Sequence, residues 1–185
     1  IMVLNYELLD LKQINVSEAF NSFKEIVNYA QTNDLLNWDI ADSGLLLIDR
    51  NEVDYDLAEK ILVILEPLLF EYGNPIQYKR FLNVYSIKTE NILQDDLFPK
   101  YFNAIINSND NRLIAETYFE TGLLLKKDNQ RLDAINSFEN AKYYSKLTDD
   151  INFQLEIIYE LALTYKDNRQ YALFYPNIVE AINIS

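Results

Sequence analysis

Two stretches of this 185-residue chain repeat each other 78 positions apart. Gly44 is followed by Leu45, Leu46, Leu47, Ile48, Asp49, Arg50 and Asn51. Gly122 is followed by Leu123, Leu124, Leu125, Lys126, Lys127, Asp128 and Asn129. Phe81 and Tyr85 stand half-way between, and Ile158, Leu161, Ala162 and Tyr165 carry the pattern one unit on. Anchors near 44, 85, 122 and 162 give a period of about 37–41 residues. Tyr101, Asn103 and Ala104 likewise match Phe138, Asn140 and Ala141, and then Ile178, Glu180 and Ala181. A unit of that length holds a helix, a short turn and a second helix. One such hairpin cannot bury its apolar face alone, but stacked neighbours can. The period therefore predicts an all-α chain, a superhelical solenoid of about five antiparallel helix pairs.

Apolar residues at i, i+3, i+4 and i+7 support the helices; Ala19, Phe20, Phe23, Ile26, Val27 and Ala30 are one example. The spacing and the polar breaks between segments predict helices over 3–13, 17–32, 35–49, 55–72, 76–93, 95–108, 112–127, 131–146, 151–167 and 171–183. The repeat units become 1–33, 35–72, 75–109, 113–148 and 151–185, together one repeat domain spanning 1–185. Ser17, Asp54, Asn111 and Asp150 are the expected N-caps, because their side chains can accept from free backbone amides. With 21 Asn and many Tyr and Ile, helix propensity is only middling, so packing must hold these helices.

Composition narrows the function classes. Three glycines and four prolines are too few for the turns of a β-sandwich or for a glycine-rich phosphate loop. With 49% apolar residues there is ample core material, which excludes a disordered chain. Sixteen basic against 29 acidic residues give a net charge of −13, which repels nucleic-acid phosphates and anionic membranes. Without cysteine or histidine, thiolate sites, cysteine nucleophiles and the commonest general base are absent. No enzyme, cofactor or metal site is expected. The longest aliphatic run, 61–65, cannot span a bilayer, and no signal peptide is visible, so a cytoplasmic setting is expected. Met2 behind Ile1 suggests a piece of a longer protein.

Residues 118–141 resemble a tetratricopeptide repeat, whose signature runs W-x2-L-G-x2-Y and then A-x3-F. Tyr118, Thr121, Gly122 and Leu125 take the first part; Ala134, Phe138 and Ala141 take the second. Gly122 and Ala134 are expected to face each other where the two helices cross closely. Residues 158–181 match more weakly, with Phe174 where a small residue belongs and Pro176 inside the second helix. The long period and the richness in Asn and Tyr are similar to the ligand-binding domains of Rgg/PlcR/Rap-type cytoplasmic pheromone receptors of Gram-positive bacteria. That resemblance implies a peptide-sensing domain of a quorum-sensing transcriptional regulator. It also implies a homodimer, and an N-terminal helix-turn-helix domain, absent here, that contacts DNA. The alternative is a generic protein–protein interaction scaffold.

In repeats of this family, first-helix residues away from the intra-pair contact line a concave groove. The resemblance places Glu116, Phe119, Leu123 and Lys126 there, and Glu156, Tyr159, Leu163 and Lys166 one unit later. Phe119 and Tyr159 are expected to form one aromatic wall. Asn103, Asn136 and Asn140 on second helices could grip a peptide backbone, since an amide donates and accepts at once. The partner is a short peptide or protein segment; nucleic acid and membrane are not expected to bind this chain. Asp95–Asp96 and Asp149–Asp150 are read as helix caps rather than metal ligands. Pro67 after Glu66 is expected to kink its helix, and Trp38 to pack in the core between units.

Overall fold

A computed structural model describes residues 15–88, 93 and 96–184. The expected helix 3–13 and Asp95 lie outside the described residues, as does the end of the expected helix 76–93. Among the described residues there are nine α-helices and no strand. These are α1 (Val16–Thr32), α2 (Trp38–Ile48), α3 (Tyr55–Tyr72), α4 (Pro75–Lys88), α5 (Leu97–Ile106), α6 (Asn111–Lys127), α7 (Arg131–Ser145), α8 (Ile151–Asp167) and α9 (Tyr171–Ile184). The chain divides into two compact units, residues 1–101 and 102–185.

In the first unit, α1 buries Ala19, Phe23, Ile26, Val27 and Ala30, the stripe that its spacing predicts. Its N-cap is Asn15 rather than Ser17: the Asn15 side chain accepts from the Glu18 amide, and Ser17 lies inside the helix. Asn37 caps α2, and Asp54 caps α3 as expected. α3 continues through Pro67 to Tyr72 as one helix, with the proline exposed. α2 packs on α1, α3 and α4. Gly44 permits this crowding, since a Cβ there would lie 2.7 Å from Leu65 Cδ1 and 2.8 Å from Phe23 Cζ. Trp38 departs from expectation. It is the first residue of α2 and 55% exposed, and its carbonyl accepts from Gln77 Nε2 at 3.3 Å. The buried Tyr101 ring lies 4.7 Å from Phe81 and 5.1 Å from Tyr78.

In the second unit, α6 packs on α7, α7 on α8 and α8 on α9. The core joins Ala115 and Phe119 of α6, Ala134, Ile135, Phe138 and Ala141 of α7, and Phe153, Ile157, Leu161 and Tyr165 of α8, with Phe174 of α9 packed against it. Asp110 caps α6 where Asn111 was expected; Asn111 is the first helical residue. Asp150 caps α8, its carboxylate accepting from the Phe153 amide at 2.9 Å. The α6–α7 and α8–α9 turns share one geometry. Asn129 (φ 61°) and Arg169 (φ 59°) are left-handed, and the next amide bonds back to the helix: Gln130 to the Leu125 carbonyl, Gln170 to that of Tyr165. The three atoms nearest to a Cβ built at Gly122 all belong to the Phe138 ring, which fills the gap that the glycine leaves.

Candidate functional site

Most polar contacts between helices follow the repeat period. In the first unit, Gln77 of α4 donates to the Trp38 carbonyl of α2, and Arg80 reaches Asp42 at 3.1 Å. Lys100 of α5 pairs with Glu66 of α3, and the Tyr101 hydroxyl donates to the Glu66 carbonyl. In the second unit, Arg112 of α6 pairs with Asp150 at the start of α8, and Lys126 meets Glu160 of α8 at 2.8 Å. Lys142 of α7 donates to Asn177 of α9 at 2.7 Å, and Lys142 and Lys146 both pair with Glu180. The hydrogen-bonded partners stand 34–39 residues apart in sequence. First helices therefore touch first helices, and second helices touch second helices. Surface ion pairs of this kind contribute about 0–1 kcal/mol each, so they set register more than they add stability.

The charges respond to these contacts. Asp150 is held below the usual carboxylate range, first by the Phe153 amide and then by Arg112. Partial burial pushes Glu180 upward, but hydrogen bonds from Lys142 and Lys146 outweigh it and leave the carboxyl low. Burial raises the Tyr165 hydroxyl, which also donates to Glu139 at 2.7 Å. Among the described residues every buried side-chain nitrogen or oxygen has a hydrogen-bond partner, and no group of acidic side chains is arranged to hold a metal. An open depression of about 570 Å³ is lined by Arg112, Thr148, Asp149, Asp150, Ile151 and Asn152. Of the charged residues in this lining, Arg112 and Asp150 are engaged with each other.

The expected groove residues separate. Phe119 is 7% exposed, with the Phe138 ring at 5.8 Å and the Phe153 ring edge-on at 5.6 Å. It is a core residue, because α8 covers it. Tyr159 is 56% exposed, so the two rings form no common wall. Glu116 accepts from Arg112, and Lys126 is taken by Glu160. Leu123, Glu156 and Lys166 are exposed, and Leu163 is half-buried. Asn103, on α5, and Asn136 and Asn140, on α7, are exposed. The Asn140 amide donates to the Asn136 carbonyl, so part of its capacity is spent on its own helix. The reading of sequence alone missed Arg112, Glu139, Lys142, Glu160, Asn177 and Glu180. A search for opposite charges one repeat apart would have found several of them.

No protein-family model matches this chain, and no curated protein matches it. Among solved structures it is similar to the crystal structure of BtubC (BKLC) from P. vanneervenii. The two are 13% identical, with a TM-score of 0.41, over 99% of this chain and 88% of that chain. So loose a superposition assigns neither fold nor activity. Among the described residues no helix is long and apolar enough to cross a membrane.

Proposed function

We propose that this chain is the peptide-sensing domain of a cytoplasmic bacterial transcriptional regulator, a solenoid of tetratricopeptide-type hairpins that acts as a homodimer. DNA contact belongs to a helix-turn-helix domain elsewhere in the polypeptide. The observation that carries this reading is the set of polar contacts at the repeat period, first helix to first helix and second to second. Hairpins stacked in that register leave the outward residues of successive first helices in line, which suits an extended peptide. Leu123 and Leu163 offer apolar contacts, and Glu116, Glu156 and Lys166 flank them. The joints also suit a sensor. Contacts that are individually weak can shift together when a ligand favours one pitch of the stack.

The net charge of −13 makes a cationic or neutral peptide the fitting ligand. The test is a fluorescence-anisotropy screen of the chain against short synthetic peptides of graded charge. A basic, amphipathic peptide should bind, more weakly as salt is added, and Leu123→Glu should weaken it at least ~10-fold, about 1.4 kcal/mol. If no short peptide binds at any salt concentration, the sensing role is lost and an interaction scaffold remains.

A further inference from the structure

Helix α9 carries apolar residues on opposite sides. Phe174, Ile178, Ala181 and Ile184 lie half-buried along one side, and Tyr171, Tyr175, Val179 and Ile182 stand more than half exposed along the other. A helix of this kind can offer either side to its neighbours, so apolar burial alone does not decide which one turns toward α7 and α8. Among the described residues, the one member of α9 that is less than a tenth exposed is polar. It is Asn177, at 6%. Glu180, the only charged residue of the helix, follows three positions later on the same side.

Lys142 of α7 meets both groups. Its side chain is 13% exposed, and its Nζ donates to Asn177 Oδ1 at 2.7 Å and pairs with Glu180 Oε2 at 2.7 Å. Asn177 Nδ2 donates to the Leu173 carbonyl at 2.9 Å, and Lys146 takes the other carboxylate oxygen of Glu180. Turning α9 by one residue, about 100°, would carry both acceptors away and leave a largely buried ammonium unpaired, which is strongly unfavourable. A buried ion pair is a weak source of stability, because desolvation offsets the attraction. It is better suited to selecting one alignment, as a polar residue does in the seam of a coiled coil. Forty positions earlier the same places hold Phe102, Ser137 and Asn140, so stacking of second helices does not in general require this set.

We propose that Lys142, Asn177 and Glu180 form a selector that fixes which side of α9 packs against α7, rather than a clamp that holds the helix on. The selector acts whatever lies over Tyr175 and Val179, because the choice is made on the inner side.

The chain has no cysteine, so an introduced one reports alone. Ala181→Cys samples the inner side of α9, and Val179→Cys the outer one. In the otherwise unchanged chain, Ala181→Cys should react with a maleimide at least ~10-fold more slowly than Val179→Cys, through local protection. Lys142→Met with Asn177→Ala removes the selector without adding an apolar group to α9, and Glu180 keeps Lys146. The two rates should then come within ~3-fold of each other, with circular dichroism unchanged. Asn177→Asp keeps an acceptor for Lys142 and should keep the original ratio. Equal rates in the otherwise unchanged chain, or a ratio that survives the double substitution, overturns the proposal. Loss of helix content in the double variant overturns it too, because the set would then hold α9 in place rather than choose its face.

Discussion

The Phe138 ring occupies the space that a side chain at Gly122 would need; a Cβ built there would stand 2.6 Å from Phe138 Cε1. Phe138 is fully buried and lies against Phe119, so it has little room to retreat. Gly122→Ala gains helix propensity of ~1 kcal/mol, and overpacking costs ~1–3 kcal/mol. A net loss of about 1 kcal/mol in urea unfolding is expected. Combining it with Phe138→Leu should relieve the clash, so the two effects should not add.

Phe119 and Tyr159 separate core from surface. Phe119→Ala should destabilise the chain by ~3–5 kcal/mol, since it empties a site between Phe138 and Phe153. Tyr159→Ala should fall within ~0.5 kcal/mol of the parent, as exposed substitutions generally do. Paired thermal melts check the contrast, and equal effects would count against the arrangement of α6 and α8.

Arg169 holds a left-handed conformation, φ 59°, at the end of α8. A residue with a Cβ is strained there by about 1 kcal/mol, whereas glycine is not. Arg169→Gly should therefore raise the urea midpoint, by ~0.5–1 kcal/mol in stability. Asn129, forty positions earlier at φ 61°, is a residue that tolerates this region well, so Asn129→Gly should gain less.

Acid should loosen the second unit. Asp150 and Glu180 are both held below their ordinary range in the folded chain. A depressed carboxyl contributes stability above its unfolded pKa, near 4, and that contribution is lost as pH falls through the lower folded value. The melting temperature should drop below about pH 4, and Glu180→Gln should flatten part of that slope. Melts from pH 2 to 7 measure it.

Lys126 and Glu160 couple α6 to α8 across a partly exposed contact. A double-mutant cycle with Lys126→Met and Glu160→Gln should give a coupling of ~0.5 kcal/mol, shrinking in 1 M salt. A coupling of zero at low salt would show that the pair does not hold the register.

By itself the sequence marked the helices among the described residues. Apolar spacing marked α1 through Phe23, Ile26 and Val27, and Asp54 and Asp150 announced the starts of α3 and α8, because helix periodicity and capping are local properties. Where two polar residues compete at a helix start, as Asn15 with Ser17 and Asp110 with Asn111, backbone geometry chose the cap. The tertiary structure alone decided what each face touches. Phe119 and Tyr159 occupy one repeat position and are both aromatic, yet one is core and the other surface. Trp38, the sole tryptophan, is exposed, whereas Tyr101 is buried against Phe81 and Tyr78. Burial belongs to the neighbour that covers a side chain, and α8 covers Phe119 from across the stack, beyond the reach of any pattern within α6.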